Sequence, residues 1–323
     1  MAPRTGIRQS LVPRAIQPRS YFVFAAFLLV FAFFAVVLHD DGFTSQTNLL
    51  NIVRQTAPIT VMAVATVFVL SAGEIDLSLG SVVALSALVT AKVMQTQDAA
   101  LAVAAGLGIG VGIGVLNGLF VTLLRLPSFL VTLASMGIVA GLARTVTDLQ
   151  SIAVENATFV NIFGSGDVGA IPGLAFWGLG AVALGQFGFR HTRFGAHVVA
   201  TGDNAGAARV AGIRVDRVKL AVLALSGAAA ALAGILYTGR LEGATYTLGA
   251  QDLLVVIAAV VIGGTRLFGG EGSVIGALLG SLLLGMLTNG LILWGFSTAQ
   301  QLIAQGVILL VAISLTLREP RRE

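Results

Sequence analysis

The 323-residue chain contains no cysteine, which excludes disulfides and thiolate metal sites. It is also poor in charge: Asp, Glu, Lys and Arg make up 11% of the residues, against roughly a quarter in an ordinary soluble domain. Of the three histidines, His191 and His197 follow no metal-ligand spacing and read as surface residues. No GxxxxGK followed by Ser or Thr occurs, so the chain holds no nucleotide by a P-loop. The apolar runs carry no succession of Asp, Glu and His of the kind that relays a proton or coordinates a coupling ion.

What remains is apolar. Hydrophobic residues make up 56% of the chain and the mean hydropathy is +0.94. A bilayer span needs about 20 mostly apolar residues. The runs and their polar breaks predict an all-α, polytopic membrane protein with about ten transmembrane helices, over 21–38, 49–70, 79–95, 99–124, 128–147, 171–188, 218–238, 252–268, 273–295 and 301–317. The first run is too long for a signal peptide, and "VVLHDDG" after it lacks a small-x-small cleavage pattern, so it reads as a retained anchor.

Charge placement predicts orientation, because cytoplasmic flanks keep Lys and Arg. With ten spans and the amino terminus inside, most of the 19 basic residues fall on one side: Arg4, Arg8, Arg14 and Arg19, then Arg125, the cluster from Arg190 to Lys219, Arg266 and the carboxy-terminal arginines. Only Arg240 falls in an outer loop. The expected layout is a basic cytoplasmic segment (1–20), one transmembrane domain (21–317) interrupted by a cytoplasmic segment (190–219), and a cytoplasmic tail (318–323). The isoelectric point near 10.1 then reflects a membrane-facing charge bias and implies no nucleic acid.

Gly106, Gly110, Gly114 and Gly118 recur every four residues in the fourth run and leave one helix face almost bare for a neighbour. "GVLNGLFV" at 114–121 resembles "GMLTNGLIL" at 285–293, and "VLSAGEIDLSLGSV" at 69–82 loosely resembles "VIGGTRLFGGEGSV" at 261–274. If spans 2–5 correspond to spans 7–10, the odd offset makes the second unit an inverted repeat, an arrangement that surrounds transport pathways. Asn117 and Asn289 then occupy equivalent places, either donating to a polar solute or bonding across helices.

Two carboxylates stand in "SAGEIDLSLGS", between the second and third runs. The break is too short for a normal loop, so the chain is expected to turn within the membrane beside a pathway, where irregular backbone is tolerated. Asp76, followed by Leu77 and Ser78, is placed to cap the next helix; Glu74 is expected to reach the inner headgroup layer. The expected pathway residues are Glu74, Asp76, Ser78, Asn117 and Asn289. In the basic segment, Asp203 and Asn204 can cap a short helix over 205–210 that Gly212 ends, with Ala207 and Ala208 on its surface.

Together, "LSAGEIDLSLGS", "RFGAHVVATGDNAGAARVAGIRV" and "VVIGGTRLFGGEGSVIGALLG" resemble the integral-membrane permease family of bacterial sugar importers of the ATP-binding-cassette type, the ribose, xylose and galactose class. The resemblance implies a paired second permease, a cytoplasmic ATPase with tandem Walker motifs that carries the ATP and Mg, and an external solute-binding protein. This chain itself would bind no cofactor and perform no covalent chemistry. The segment holding Gly202, Asp203, Asn204, Ala207, Ala208, Arg209 and Gly212 resembles the family's coupling helix. Against the family pattern, Ala205 and Gly206 replace two acidic residues, and Glu74 replaces a glycine. The acidic outer loop 148–170, with Asp148, Glu155 and Asp167, is the expected docking surface for the solute-binding protein. Branched-chain amino acid permeases of the same transporter class, ion-coupled secondary carriers and structural membrane subunits are the competing readings.

Overall fold

The computed structural model describes residues 18–317. The expected basic segment up to residue 17 and the tail from 318 lie outside the described residues. Helix α1 (Pro18–Val37) is followed by a turn at Gly42 and by α2 (Gln46–Ser71), whose first turn is capped by the Ser45 hydroxyl accepting from the Asn48 amide at 3.2 Å. An extended stretch then leads into α3 (Leu79–Met94). Asp98 caps α4 (Ala99–Leu123), accepting from the Leu101 amide at 2.8 Å, and Pro127 introduces α5 (Ser128–Val146).

The expected loop after α5 is structured. It holds β1 (Ile152–Ala153), α6 (Ala157–Val160), a π-helical turn over 161–165, and the β2 (Asp167–Val168) and β3 (Ile171–Pro172) hairpin. The chain continues through α7 (Gly173–His191), α8 (Arg193–Asp203), α9 (Ala205–Val210) and α10 (Val215–Leu241). Strand β4 (Gly243–Ala244) pairs antiparallel with β1, and α11 (Asp252–Ile262), α12 (Val274–Leu293) and α13 (Thr298–Leu317) complete the fold.

By length and composition α2, α4, α5, α10 and α12 can each cross a bilayer, and α3, α11 and residues 23–37 of α1 are shorter apolar helices. The fold is therefore a polytopic, helical membrane protein. The expected span at 252–268 is cut short at Ile262, because Gly263 and Gly264 end the helix, Gly264 with φ +90°. Eleven residues rise only about 16 Å, roughly half a hydrocarbon core.

The core is built on α2 and α10, which lie against each other and bury most of their length. Around them the neighbours come in matching sets. α10 packs on α4 and α3, as α2 packs on α12 and α11; α3 packs on α4 and α5, as α11 packs on α12 and α13. The glycine face of α4 makes the most extensive of these contacts, against α10. A Cβ on Gly110 would overlap the Gly227 carbonyl and Ala231 of α10, whereas Gly108 on the other face has nothing nearby. Lipid tails drive no hydrophobic association between helices, so such backbone-to-backbone contact supplies the attraction.

The sequence pair at 69–82 and 261–274 does not occupy matching places: the first joins α2 to α3, the second α11 to α12. On the expected repeat, the first break would correspond to 242–251, between α10 and α11. The two breaks that look alike in sequence instead touch, the Gly270 amide donating to the Ser71 carbonyl at 3.1 Å.

Gly110→Val should lower the unfolding free energy in detergent by about 1–3 kcal/mol, the usual cost of forcing bulk into a packed contact. Gly108→Val, on the open face, should change the thermal midpoint much less.

Candidate functional site

Residues 72–78 leave the helix while surrounded by protein. Gly73 takes φ +77°, so the left-handed turn falls on a glycine and Glu74 needs no special backbone conformation. Backbone groups freed from a helix in the absence of water must be bonded internally. Here the Glu74 amide donates to the Val69 carbonyl at 3.1 Å, the Ile75 amide to Ser128 Oγ at 3.0 Å, and the Leu77 amide to Thr132 Oγ1 at 3.0 Å. The staples from the first turns of α5 were not among the residues singled out from sequence. Hydroxyls one helical turn apart, at 128 and 132, are the signal that marks them.

Asp76 is buried, and its Oδ1 accepts from the Ser78 amide at 2.9 Å and the Ser78 hydroxyl at 2.6 Å, so it bonds the residue before α3 and does not cap the helix's first amides as expected. Asn117 of α4 in turn donates from Nδ2 to Ser78 Oγ at 3.1 Å. The structure thus joins three of the five expected pathway residues in one hydrogen-bonded chain. Asn289 lies apart: it exchanges two 2.9 Å hydrogen bonds with Asn48 near the start of α2. Asn117 stands on α4 and Asn289 on α12, and they meet different elements.

Glu74 does not extend to a headgroup layer. It is 4% exposed and ion-paired with Lys219 near the start of α10, a residue whose own side chain is a quarter exposed. Both line a cleft of about 720 Å³ that also takes in Arg125, Ser128, Arg209 and Asp216. Arg209 of α9 bonds Asp216 of α10 at 2.9 Å across this cleft.

The short helix forms over 205–210, where the caps predict it. Asn204 Oδ1 accepts from the Ala207 amide at 3.0 Å. At the other end, Gly212 with φ +84° and the Ile213 amide donate back to Arg209 and Ala208. Asp203 is exposed at the end of α8, and its side chain does not provide the cap. Ala208 was expected on the surface but is buried at 4%, because a six-residue helix lying on the protein must turn one face down. Ala207 is exposed, and Val210 is 92% exposed on a well-capped helix.

Gly202 connects this hairpin to the interior. A Cβ there would overlap the Ser71 carbonyl, the Gly270 amide and Ala72, so the end of α8 rests directly on both breaks. At the opposite end, Asp167 is not a free acid of the outer loop, because Arg54 of α2 clamps it with bonds of 2.7 and 2.8 Å. Asp148 and Glu155 remain exposed there.

Lys219→Met should destabilise the chain by about 3 kcal/mol, the lower end of the range for a broken buried pair, because it strands the Glu74 carboxylate. The double variant Glu74→Gln/Lys219→Met should recover most of that loss in the same melting measurement. Asp76→Asn keeps an acceptor for Ser78 and should cost little, whereas Asp76→Ala should cost about 1 kcal/mol.

The family described as "Branched-chain amino acid transport system / permease component" matches residues 48–313. A ribose import permease protein of Bacillus subtilis is 40% identical over 282 residues, covering 87% of this chain and 88% of the relative. The ribose import permease protein of Escherichia coli K12 is 38% identical over 291 residues, covering 88% and 90%. The xylose transport system permease protein of the same strain is 32% identical, covering 93% and 92%. No solved structure gives a match. With so much of each chain aligned and the polytopic helical fold in place, this chain belongs to the transport-system permease component family that these proteins represent.

Proposed function

We propose that the chain is the membrane-spanning permease subunit of an ATP-driven importer for a monosaccharide, working in the bacterial cytoplasmic membrane with both termini in the cytosol. The observation that carries the reading is 40% identity along nearly the whole length to a ribose import permease. The family's printed description favours a second reading, uptake of a branched-chain amino acid. Agreement of ribose and xylose relatives from two genera weighs toward the sugar.

In this reading the chain binds no cofactor. A partner ATPase with tandem Walker motifs hydrolyses ATP, a second permease completes the pathway, and an external binding protein delivers the solute to the end that carries the 148–170 segment. The spans number ten, and the matching neighbours of α2–α5 and α10–α13 support an inverted repeat. α3 and α11 would then be half-helices meeting at mid-membrane, since Gly80 of α3 lies against Gly249 of the α10–α11 connection. The hydrogen-bonded Asp76, Ser78 and Asn117, together with Glu74 and Asn289, are proposed to flank the pathway.

Helix α9 is the proposed dock for the ATPase, with Gly202, Asp203, Asn204, Ala207, Ala208, Arg209 and Gly212 as its working residues. Ala208 holds it to the body of the protein, and Val210 and Ala207 face the partner. Exposed valine is ordinary singly, but on a basic surface hairpin it offers the apolar anchor a groove takes. ATP-driven closure would push α9, and Gly202 would pass the displacement to the two breaks. Nucleotide shifts the conformational equilibrium only by its differential affinity for the two states.

The test is uptake by vesicles carrying the chain with its ATPase, permease and binding-protein partners. Labelled pentose should enter only with hydrolysable ATP, and L-leucine should not. Val210→Asp and Ala207→Glu should leave the chain's melting unchanged yet reduce ATP-dependent uptake by about tenfold or more. Uptake driven by an ion gradient without the ATPase would overturn the assignment.

A further inference from the structure

The site residues considered so far cluster on the Ser71 side of α2 or bond between helices. About 15 residues back along α2, roughly 22 Å away, a separate cavity of about 230 Å³ lies among α2, α10, α11, α12 and α13. Gln55, Tyr237, Arg240, Asp252, Gln301 and Gln305 supply its polar wall. Asp252 begins α11 at the end of the turn that carries Gly249 against Gly80 and Val83 of α3, so it stands inside the bundle. Its Oδ2 is buried with no hydrogen-bond partner, while Tyr237 and Arg240 line the same cavity and interact with the same carboxylate. A buried acceptor left unbonded costs free energy, and ionisable groups at membrane depth mark functional sites.

The chemistry of the wall selects the occupant. Arg240 and Asp252 cancel in formal charge, so an added cation or anion would leave one charge uncompensated in a partly dry site. The glutamine amides offer neutral donors and acceptors. Gln305 is already oriented by a 3.2 Å bond to the Thr288 hydroxyl. The volume falls below the roughly 300–1,000 Å³ of drug-sized sites, which limits the ligand to a single small ring or its equivalent.

We infer that this cavity binds a small, neutral, polyhydroxylated solute, with Asp252 Oδ2 accepting from its hydroxyls and the glutamine amides bonding the rest. The inference rests on the import reading for the solute's class, and it adds a binding station away from the Asp76, Ser78 and Asn117 chain. A branched amino acid zwitterion, divided between Arg240 and Asp252, is the alternative occupant.

The experiment measures equilibrium binding of labelled D-ribose and D-xylose to the purified full chain in lipid nanodiscs, with L-leucine as competitor. Saturable binding of a pentose, untouched by leucine, is expected. Asp252→Asn and Gln305→Leu should each weaken it about tenfold or more, the loss of one hydrogen bond to a charged or buried partner. Unchanged melting of the sugar-free variants shows that they fold. Absence of saturable pentose binding to the folded wild type, displacement by leucine, or full binding in both variants overturns the site. ATP-dependent uptake by the assembled importer is read in parallel. Pentose uptake that persists in both variants overturns the site and leaves the import assignment standing, whereas failure of the wild-type importer to take up any pentose strikes the assignment itself.

Discussion

Protein interior offers no water to an unpaired amide, and the structure between α2 and α3 follows from that constraint. Once the chain leaves the helix at Gly73, each amide that turns inward needs a partner from the protein. Ser128 and Thr132 provide two of them, which fixes α5 against the break. Asp76 provides another, to Ser78 just before α3, and the Ser78 hydroxyl in turn accepts from Asn117. The bond from the Ser78 amide to Asp76 thus belongs both to this set and to the polar chain of the candidate pathway.

Close approach is the second requirement, and glycine meets it at the joints. Gly110 and Gly227 let α4 and α10 touch backbone to backbone, while Gly202 brings α8 onto Ser71 and Gly270. The two uses differ in consequence. Contact along α4 is long and continuous, so it holds two helices in register. Contact at Gly202 is a point, so a shift of the surface hairpin reaches two irregular, hydrogen-bonded segments without a long lever between them.

Much of the architecture was legible because a bilayer writes it in composition. Apolar runs located most of the helices, the four-residue glycine spacing located the tight face of α4, and Asn204 with Gly212 located α9. What sequence could not supply were partners distant along the chain. Lys219 neutralises Glu74 across 145 positions, and Arg54 neutralises Asp167 across 113, so both carboxylates looked freer than they are. Periodicity failed at α11, where an apolar run continued past Gly263 but the helix did not. Ala208 was misplaced for a different reason: six residues are too few for a pattern of exposure to emerge, and only the body beneath decides which face turns down. Nothing in the sequence marks Asp252, because a carboxylate at a span boundary normally lies in water; the turn that sets Gly249 against Gly80 and Val83 brings it into the bundle.

The ionic contacts around the cleft divide into those that shape and those that link. Arg209 and Asp216 are both more than half exposed, so their attraction is screened and contributes about 0–1 kcal/mol. On the proposed reading, that weakness suits a contact between α9 and α10 that would re-form as the hairpin moves. Glu74 and Lys219 are sheltered, and burying both charges offsets much of what their attraction gains, so the pair adds little net stability while being costly to break from one side. Such a pair specifies one arrangement of the break against α10. On the proposed reading, a push on α9 therefore arrives at α10 through a soft link and at the break through the rigid joint at Gly202. The Glu74–Lys219 pair lies where the two routes converge, and the break can move relative to α10 only if that pair shifts or opens.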